Sequence, residues 1–232
     1  MKRTYSDSFY VNEDNTFVKD SFVAACQAIG NSPSIKSIAD VGCAAGAFVN
    51  YLSNTLKDKD IYGIDILDLS LDKARKDFPH LNFLKGDVNV RDSIKQRFDV
   101  ITLLGVLDIF DNYDEILSNL FSWLNPHGRL IIHNMVSDYD YDVFVKHKPS
   151  SSKMDNADLE LGWNIISKKT LELVCEEHGA EITHYADFEL SVDIPKTKNT
   201  MRTWTEKNIK GGRDIINALH IRQPQKIVVI QT

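Results

Sequence analysis

Along most of the chain, short apolar runs rich in Ile, Val and Leu alternate with stretches whose apolar positions return every three or four residues. SIADV (37–41) precedes GAFVNYLSNTLK, DIYGID (60–65) precedes LSLDKARKDF, and NFLKGD (82–87) follows. RFDVITLL (97–104) then precedes YDEILSNLFSWL, and GRLIIHN (128–134) leads towards SKKTLELVCEEHGA (167–180). Runs without polar alternation suit strands buried on both faces, and the 3.6-residue period suits helices packed on them. The pattern therefore predicts βαβ units around a parallel sheet. Phe48, Leu52 and Leu56 recur at four-residue intervals, as do Ile116, Leu120 and Leu124, which assigns those faces to the core. Asn125, Pro126 and Gly128 mark one helix stop and Gly179 another.

Beyond Gly179 the texture changes. EITHYADFELSVDI (181–194) reads as a long strand and KIVVIQT (226–232) as the last one, so the sheet is expected to finish antiparallel. Between them, TMRTWTEKNIKGGRDIINALHI carries Gly211-Gly212 between strand-like runs, which predicts an inserted hairpin. The polar stretch 137–158 reads as a long loop or lid. Residues 1–232 are thus expected to form one domain, with a core at 36–135, the lid at 137–158 and the hairpin at 196–222 on the acceptor side.

Composition narrows the function. The 27 Lys and Arg against 33 Asp and Glu give a net charge of −6, which disfavours a polyanionic partner, so no nucleic acid is expected. Cys26, Cys43 and Cys175 form no CxxC pair and have no nearby His at ligand spacing, so they read as reduced, with no metal and a cytoplasmic location. No signal peptide is legible, and the longest apolar run, VITLLGVLDIF, is broken by Asp108, so no membrane span is expected.

The chemistry gathers where strands end. In a doubly wound sheet ligands lie beyond the carboxyl ends of the strands, closest to the first strand-to-helix turn. That turn is Asp40 to Gly46, and its small residues Gly42, Cys43, Ala44, Ala45 and Gly46 let a ligand approach the backbone. The second strand ends in Asp65, whose carboxylate can accept both hydroxyls of a ribose, and the third ends at Asp87 on the same crevice. A strand-Asp-Gly turn also occurs as ordinary loop chemistry. Gly42, Ala44 and Ala47 can moreover be aligned with the G-x-G-x-x-A of a nicotinamide-dependent oxidoreductase, with Asp65 as its ribose acid.

The ordered set DVGCAAG, YGIDIL, FLKGDV, FDVITLLGVLDIF and LNPHGRLII resembles the class I, Rossmann-like S-adenosylmethionine-dependent methyltransferases over residues 36–135, with Ala44 where the family pattern carries its second glycine. The resemblance implies a doubly wound α/β fold with a seven-stranded, mostly parallel sheet and an antiparallel last strand. It also implies S-adenosyl-L-methionine as cofactor and S-adenosyl-L-homocysteine as product. Gly42 to Gly46 would line the methionine and ribose, Asp65 the ribose hydroxyls, Ile66 the adenine face, Asp87 and Val88 the adenine edge, and Leu103, Leu104 and Gly105 the methionine arm. Asp40 is placed to fix the loop and the ligand's ammonium group.

For an alcohol acceptor a base is useful, and His133, directly after GRLII, is the candidate; a structural imidazole is the alternative. His147 in the lid could close over an acceptor, His178 reads as a helix-end charge, and Asp108 is a candidate donor or acceptor contact. Residues 196–226 hold eight Lys or Arg against Glu206 and Asp214, a local +6 that suggests a small anionic acceptor. Arg202 and Trp204, two apart on a strand, would present guanidinium and indole on one face to a sugar or phosphate. Trp204 packed on the sheet is the alternative. Asn134, Tyr139 and Tyr141 could complete the pocket. RTWTEKN, GRDIINAL and QPQKIVVI resemble the C-terminal part of small-molecule methyltransferases of bacterial surface-polysaccharide biosynthesis. The resulting expectation is O-methylation of a sugar or a phosphorylated or phosphoramidate precursor. The competing readings are a non-catalytic binder of S-adenosylmethionine and a methyltransferase acting on RNA or protein.

Overall fold

A computed structural model describes residues 17–151, 159–198 and 200–232. The helical spacing in the sequence yields α1 (Asp20–Ile29), α2 (Ala47–Thr55), α3 (Asp68–Asp77), α4 (Tyr113–Ser122) and α5 (Lys168–Glu177). The apolar runs form β1 (Ser37–Val41), β2 (Asp60–Asp65), β3 (Asn82–Lys85), β4 (Phe98–Leu104) and β5 (Leu124–Ser137). Then come the two-residue strands β6 (Lys146–His147), β7 (Glu160–Leu161) and β8 (Ile166–Ser167). The C-terminal part supplies β9 (Glu181–Asp187), β10 (Trp204–Lys207), β11 (Arg213–Ile216) and β12 (Gln225–Gln231).

The central sheet runs β3-β2-β1-β4-β5-β12-β9, with β8 added beside the end of β5. β1 to β5 are mutually parallel, and β12 enters antiparallel to both β5 and β9, as expected from the change of texture after Gly179. Strand order reverses beside β1, which places the crevice over the β1 and β4 ends. Alternate residues feed two cores. Ile101, Leu103, Ile132 and Val228 pack under α4 and α5, while Ile38, Val100, Ile131 and Val229 pack under α1, α2 and α3.

Two boundaries differ from the sequence reading. The helix before β5 stops at Ser122 and the strand starts at Leu124, so Leu124 is a strand residue and Asn125 to Gly128 lie within β5. A register shift against β4 absorbs the turn chemistry there, with His127 at φ 62. β9 ends at Asp187 rather than at residue 194, because its partner β12 begins at Gln225, after Pro224, and the last rung is Phe188 N–H to Gln225 O at 2.9 Å. The hairpin lies inside the expected 196–222 span. Its turn is closed by Asn208, whose Oδ1 accepts from Lys210 N at 3.0 Å and Gly212 N at 2.9 Å.

Candidate functional site

The loop after β1 folds back over the end of β2. Gly42 N–H and Cys43 N–H both donate to Ile64 O, at 2.8 and 3.1 Å, and Gly46 N–H turns back onto Cys43 O at 2.9 Å. Gly42 takes φ +77 with Val106 packed against its α-carbon, where a Cβ would meet Val106 Cγ2 at 2.4 Å, so the position requires glycine on two counts. Ala44 also sits in the left-handed region, at φ 48. That conformation costs an alanine about 1 kcal/mol, offset by its N–H donating to Asp65 Oδ2 at 2.8 Å. The missing family glycine is thus replaced without loss of the loop's shape. No side chain caps α2, so its first amides face the same crevice.

Asp65, the last residue of β2, also accepts from Leu67 N at 2.9 Å, so its carboxylate is oriented by the backbone on both sides. A carboxylate oxygen accepts more than one hydrogen bond, and ribose hydroxyls can join these amides. Asp40 is only 4% exposed and accepts from Thr102 Oγ1 at 2.9 Å. Burial, partly offset by that hydroxyl and reinforced by the nearby Asp65, pushes the Asp40 carboxyl up to about 7. A ligand cation beside it would restore the charged form. Burial with Asp40 and Asp65 alongside also pushes the Cys43 thiol well above its ordinary range.

Asp87 lies two residues beyond β3 and holds its own loop, with Oδ1 accepting from Asn89 N at 2.9 Å and Asn89 Nδ2 at 2.7 Å. Val88 is buried, and its carbonyl accepts from Asn119 Nδ2 on α4 at 2.7 Å. Ile66 and Leu104 are half-buried at the strand ends. Leu103 is a correction: its side chain is fully buried in the core under α4, so only its backbone borders the crevice. Ala45 is buried likewise. Gly105, at φ +65, has open space where a Cβ would stand.

A model of the methyltransferase domain family matches residues 39–130, the stretch that holds this loop and the ends of β1 to β4. The malonyl-[acyl-carrier protein] O-methyltransferase of Halalkalibacterium halodurans is 25% identical over 154 residues, 64% of this chain and 57% of that protein. Residues 39–130 thus carry a methyltransferase domain, and the likeness supports a class I, Rossmann-like S-adenosylmethionine-dependent methyltransferase. The chain spans about half the length of the curated relatives it matches. In fold it resembles a methyltransferase of Clostridium acetobutylicum (TM-score 0.57, 11% identity, 98% of this chain and 95% of that one). It also resembles a SAM-bound amino pentose methyltransferase of Micromonospora echinaspora (TM-score 0.55, 12% identity, 100% and 98%).

The residues at this crevice fit S-adenosylmethionine as cofactor: a small-residue cradle, the open face of Gly105, an oriented acid at the end of β2 and a buried acid able to meet an ammonium group. Among the described residues no group of three or more His, Cys, Asp or Glu could hold a metal, and no helix is long and apolar enough to cross a membrane.

Of the residues expected to meet an acceptor, His133 pairs with Leu104, the last residue of β4, and its carbonyl accepts from Gly105 N at 2.8 Å. Its ring stands edge-on to Phe188 at 4.4 Å, and its Nε2 is closed off from solvent with no hydrogen-bond partner. Burial pushes the imidazole down to about 4, against a hydrogen bond with Gln225 that favours the protonated ring, so it is neutral at pH 7.

Several expected acceptor contacts are placed elsewhere. Asn134 is buried on the opposite face, where its Oδ1 accepts from Asp108 N at 3.0 Å and steadies the turn after β4. Asp108 is likewise buried there. Trp204 is 4% exposed, with Nε1 donating to Glu206 at 3.0 Å and Lys196 over its ring at 4.5 Å, so its face serves the hairpin's own packing. Arg202 precedes β10 rather than sharing a strand with it. Tyr139 and Tyr141 are 78% and 77% exposed, in the turn after β5. His178 bonds Asp114 at 2.8 Å, away from the crevice.

The hairpin's positive excess is also reduced. Arg213 pairs with Asp193, Arg222 with Asp214, and the buried Lys226 with Asp138 and Asp187.

The lid is more ordered than a loop, although residues 152–158 of the expected span lie outside the described residues. β6 and β7 pair antiparallel, with His147 opposite Glu160, and Val143 bridges Ile165. Asn164, which sequence reasoning passed over, fastens this flap: its Nδ2 donates to Phe110 O and Asp111 Oδ1, both at 2.9 Å, and its Oδ1 accepts from Val145 N at 2.8 Å. A lone Asn in the apolar run GWNII was the available signal. Phe144 stacks on Tyr113 at 6.0 Å.

Proposed function

We propose that the protein transfers a methyl group from S-adenosylmethionine to an oxygen of a small polar acceptor, with His133 as the base. The observation that carries this reading is the place of His133 beside the β4 end that borders the donor cradle, with burial keeping its imidazole neutral. When bound, the donor supplies a methyl on a positively charged sulfur and takes back the electron pair of the broken C–S bond. Asp40 would hold its ammonium and Asp65 its ribose, fixing the methyl relative to β4. The acceptor hydroxyl would give its proton to the His133 imidazole as its oxygen forms the new C–O bond, and the imidazolium would later release that proton to water. Alignment supplies most of the acceleration, ~7 to 11 kcal/mol, and the base roughly 10²- to 10⁴-fold more.

A sugar or a phosphorylated or phosphoramidate precursor of a bacterial surface polysaccharide is the acceptor class we favour. Its support is the sequence likeness of the C-terminal segment and a fold likeness to an amino pentose methyltransferase that extends along the whole chain. A carboxylate acceptor is the second reading, favoured by the malonyl-[acyl-carrier protein] relative. It needs no proton removal, so His133→Gln separates the two: turnover collapses for an alcohol and persists for a carboxylate.

Methyl-labelled donor incubated with the protein and a small-molecule extract should yield a labelled polar metabolite. Label found only on RNA or protein would overturn the assignment.

A further inference from the structure

The tip of the inserted hairpin displays one apolar side chain on a stiff turn. Asn208 closes the turn between β10 and β11: its N–H donates to Gly212 O at 2.9 Å and its Nδ2 to Asp214 Oδ1 at 3.1 Å. Its Oδ1 accepts from Lys210 N at 3.0 Å and from Gly212 N at 2.9 Å. These bonds fix the backbone, yet Ile209 within the turn is 103% exposed, as free of neighbours as in an extended peptide. A β-branched side chain held out on a rigid turn loses little freedom on docking, and covering it removes apolar surface from water. Lys207 and Lys210 flank it, both exposed, and neither belongs to the hairpin's ion pairs, Arg213 with Asp193 and Arg222 with Asp214.

A matching socket lies at the free edge of the sheet. Between α5 and β9, a cavity of about 300 Å³ has Cys175, Ile182 and Tyr185 as its apolar floor and Glu172, Glu176 and Glu181 at its rim. The three glutamates are exposed and form no ion pair among the described residues. An apolar floor within an acidic rim suits an apolar side chain carried between two lysines.

Topology decides whose hairpin can fill it. β9 is the last strand of the central sheet among the described residues, and its outer edge is unpaired. The socket is at the Glu181 end of β9, and the hairpin is rooted at the Asp187 end, where Gln223 N–H, bonded to Ile215 O at 2.8 Å, leads the chain back into β12. The two ends lie roughly 20 Å apart along the strand. The full exposure of Ile209 means that a chain does not fill its own socket. A two-fold axis through the middle of the free edge exchanges the two ends of β9 and carries each hairpin towards the other copy's socket. Direct strand pairing about that axis would set Glu181 against Asp187, two like charges, so side chains and not a backbone ladder make the contact.

We propose that the chain associates with a second copy of itself as a two-fold dimer, with Ile209 of each hairpin seated in the socket between α5 and β9 of the other and Lys207 and Lys210 against Glu172, Glu176 and Glu181. The contact is isologous, so both sockets fill together and association closes at two. This inference stands apart from the methyl-transfer reading.

Sedimentation velocity of the full chain over a dilution series at low salt tests it without donor or acceptor. The expected result is a monomer–dimer equilibrium that shifts towards monomer at high salt. Ile209→Ser, which removes no contact within the chain, should weaken the dimer at least ~10-fold. Charge reversal gives the second arm. Lys207→Glu with Lys210→Glu in one protein, and Glu172→Lys with Glu176→Lys in another, should each yield a monomer, because tip and socket then carry like charge. Mixed in equal amounts, the two should form a heterodimer, in which both contacts again pair opposite charges. A wild type that stays monomeric at every concentration would overturn the proposal, as would a dimer indifferent to Ile209→Ser or reversed proteins that stay apart when mixed. Species that grow beyond two copies would refute the two-fold arrangement.

Discussion

Replacing Asp40 by Asn should separate the stability of the empty protein from its capacity to hold the donor. Asp40 is buried beside Asp65, and its carboxyl rises from the ordinary 3.8 to about 7. A carboxyl raised on folding binds a proton more tightly in the native state, so its stabilisation is complete below about pH 4 and is lost as pH climbs through about 7. At roughly 1.36 kcal/mol per unit the full span is about 4 kcal/mol. Between pH 5 and 8 the same linkage gives a loss of roughly 2.5 kcal/mol. Asn has no such titration, and its oxygen can still accept from Thr102. In urea unfolding of the ligand-free protein, wild type should therefore lose roughly 2.5 kcal/mol more than Asp40→Asn from pH 5 to pH 8. Donor affinity should move the other way, falling in Asp40→Asn at pH 8 because the ammonium loses its counter-charge. Parallel stability curves for the two proteins would refute the assignment of a protonated, buried acid at this position.

Further outcomes follow from the same geometry. Asp65→Ala removes the acceptor of Ala44 and Leu67 together with the ribose contact, so calorimetry should show donor binding weakened by at least ~100-fold, two charge-assisted hydrogen bonds at roughly 1.5 to 3 kcal/mol each. Asn164→Ala leaves the carbonyl of Phe110 and the amide of Val145 without their partner, and hydrogen exchange should speed up at residues 143–147 and 160–166 while β1 and β4 stay protected. Cys43, buried with its thiol pushed up, should resist alkylation at pH 8 in the folded protein and react only on unfolding.

The sheet was legible because its strands are buried on both faces and so read as unbroken apolar runs, while the helices betray themselves by period. Asp40 and Asp65 were legible for a different reason: a carboxylate closing an apolar strand is costly unless it has work to do. Asn134 and Trp204 misled because adjacency to a site in sequence does not fix the face a side chain takes. Asn134 follows His133 by one residue and therefore points through the sheet to the other side. Trp204 shares the hairpin's basic stretch, but its area is worth more buried under Lys196 than displayed to a ligand. Asn164 was passed over because its partners, Phe110, Asp111 and Val145, lie 19 to 54 residues away along the chain. The early end of β9 depended on where β12 begins, which no local pattern in EITHYADFELSVDI reveals.

The central claim is that the donor nucleoside lies across the loop after β1 with its ribose on the acid of β2. A crystal structure of the protein with S-adenosylhomocysteine tests it most directly. The account predicts the ligand over Gly42 to Gly46, both ribose hydroxyls on Asp65 and the ammonium beside Asp40. A ligand bound away from that loop, or ribose hydroxyls that leave Asp65 untouched, would contradict it.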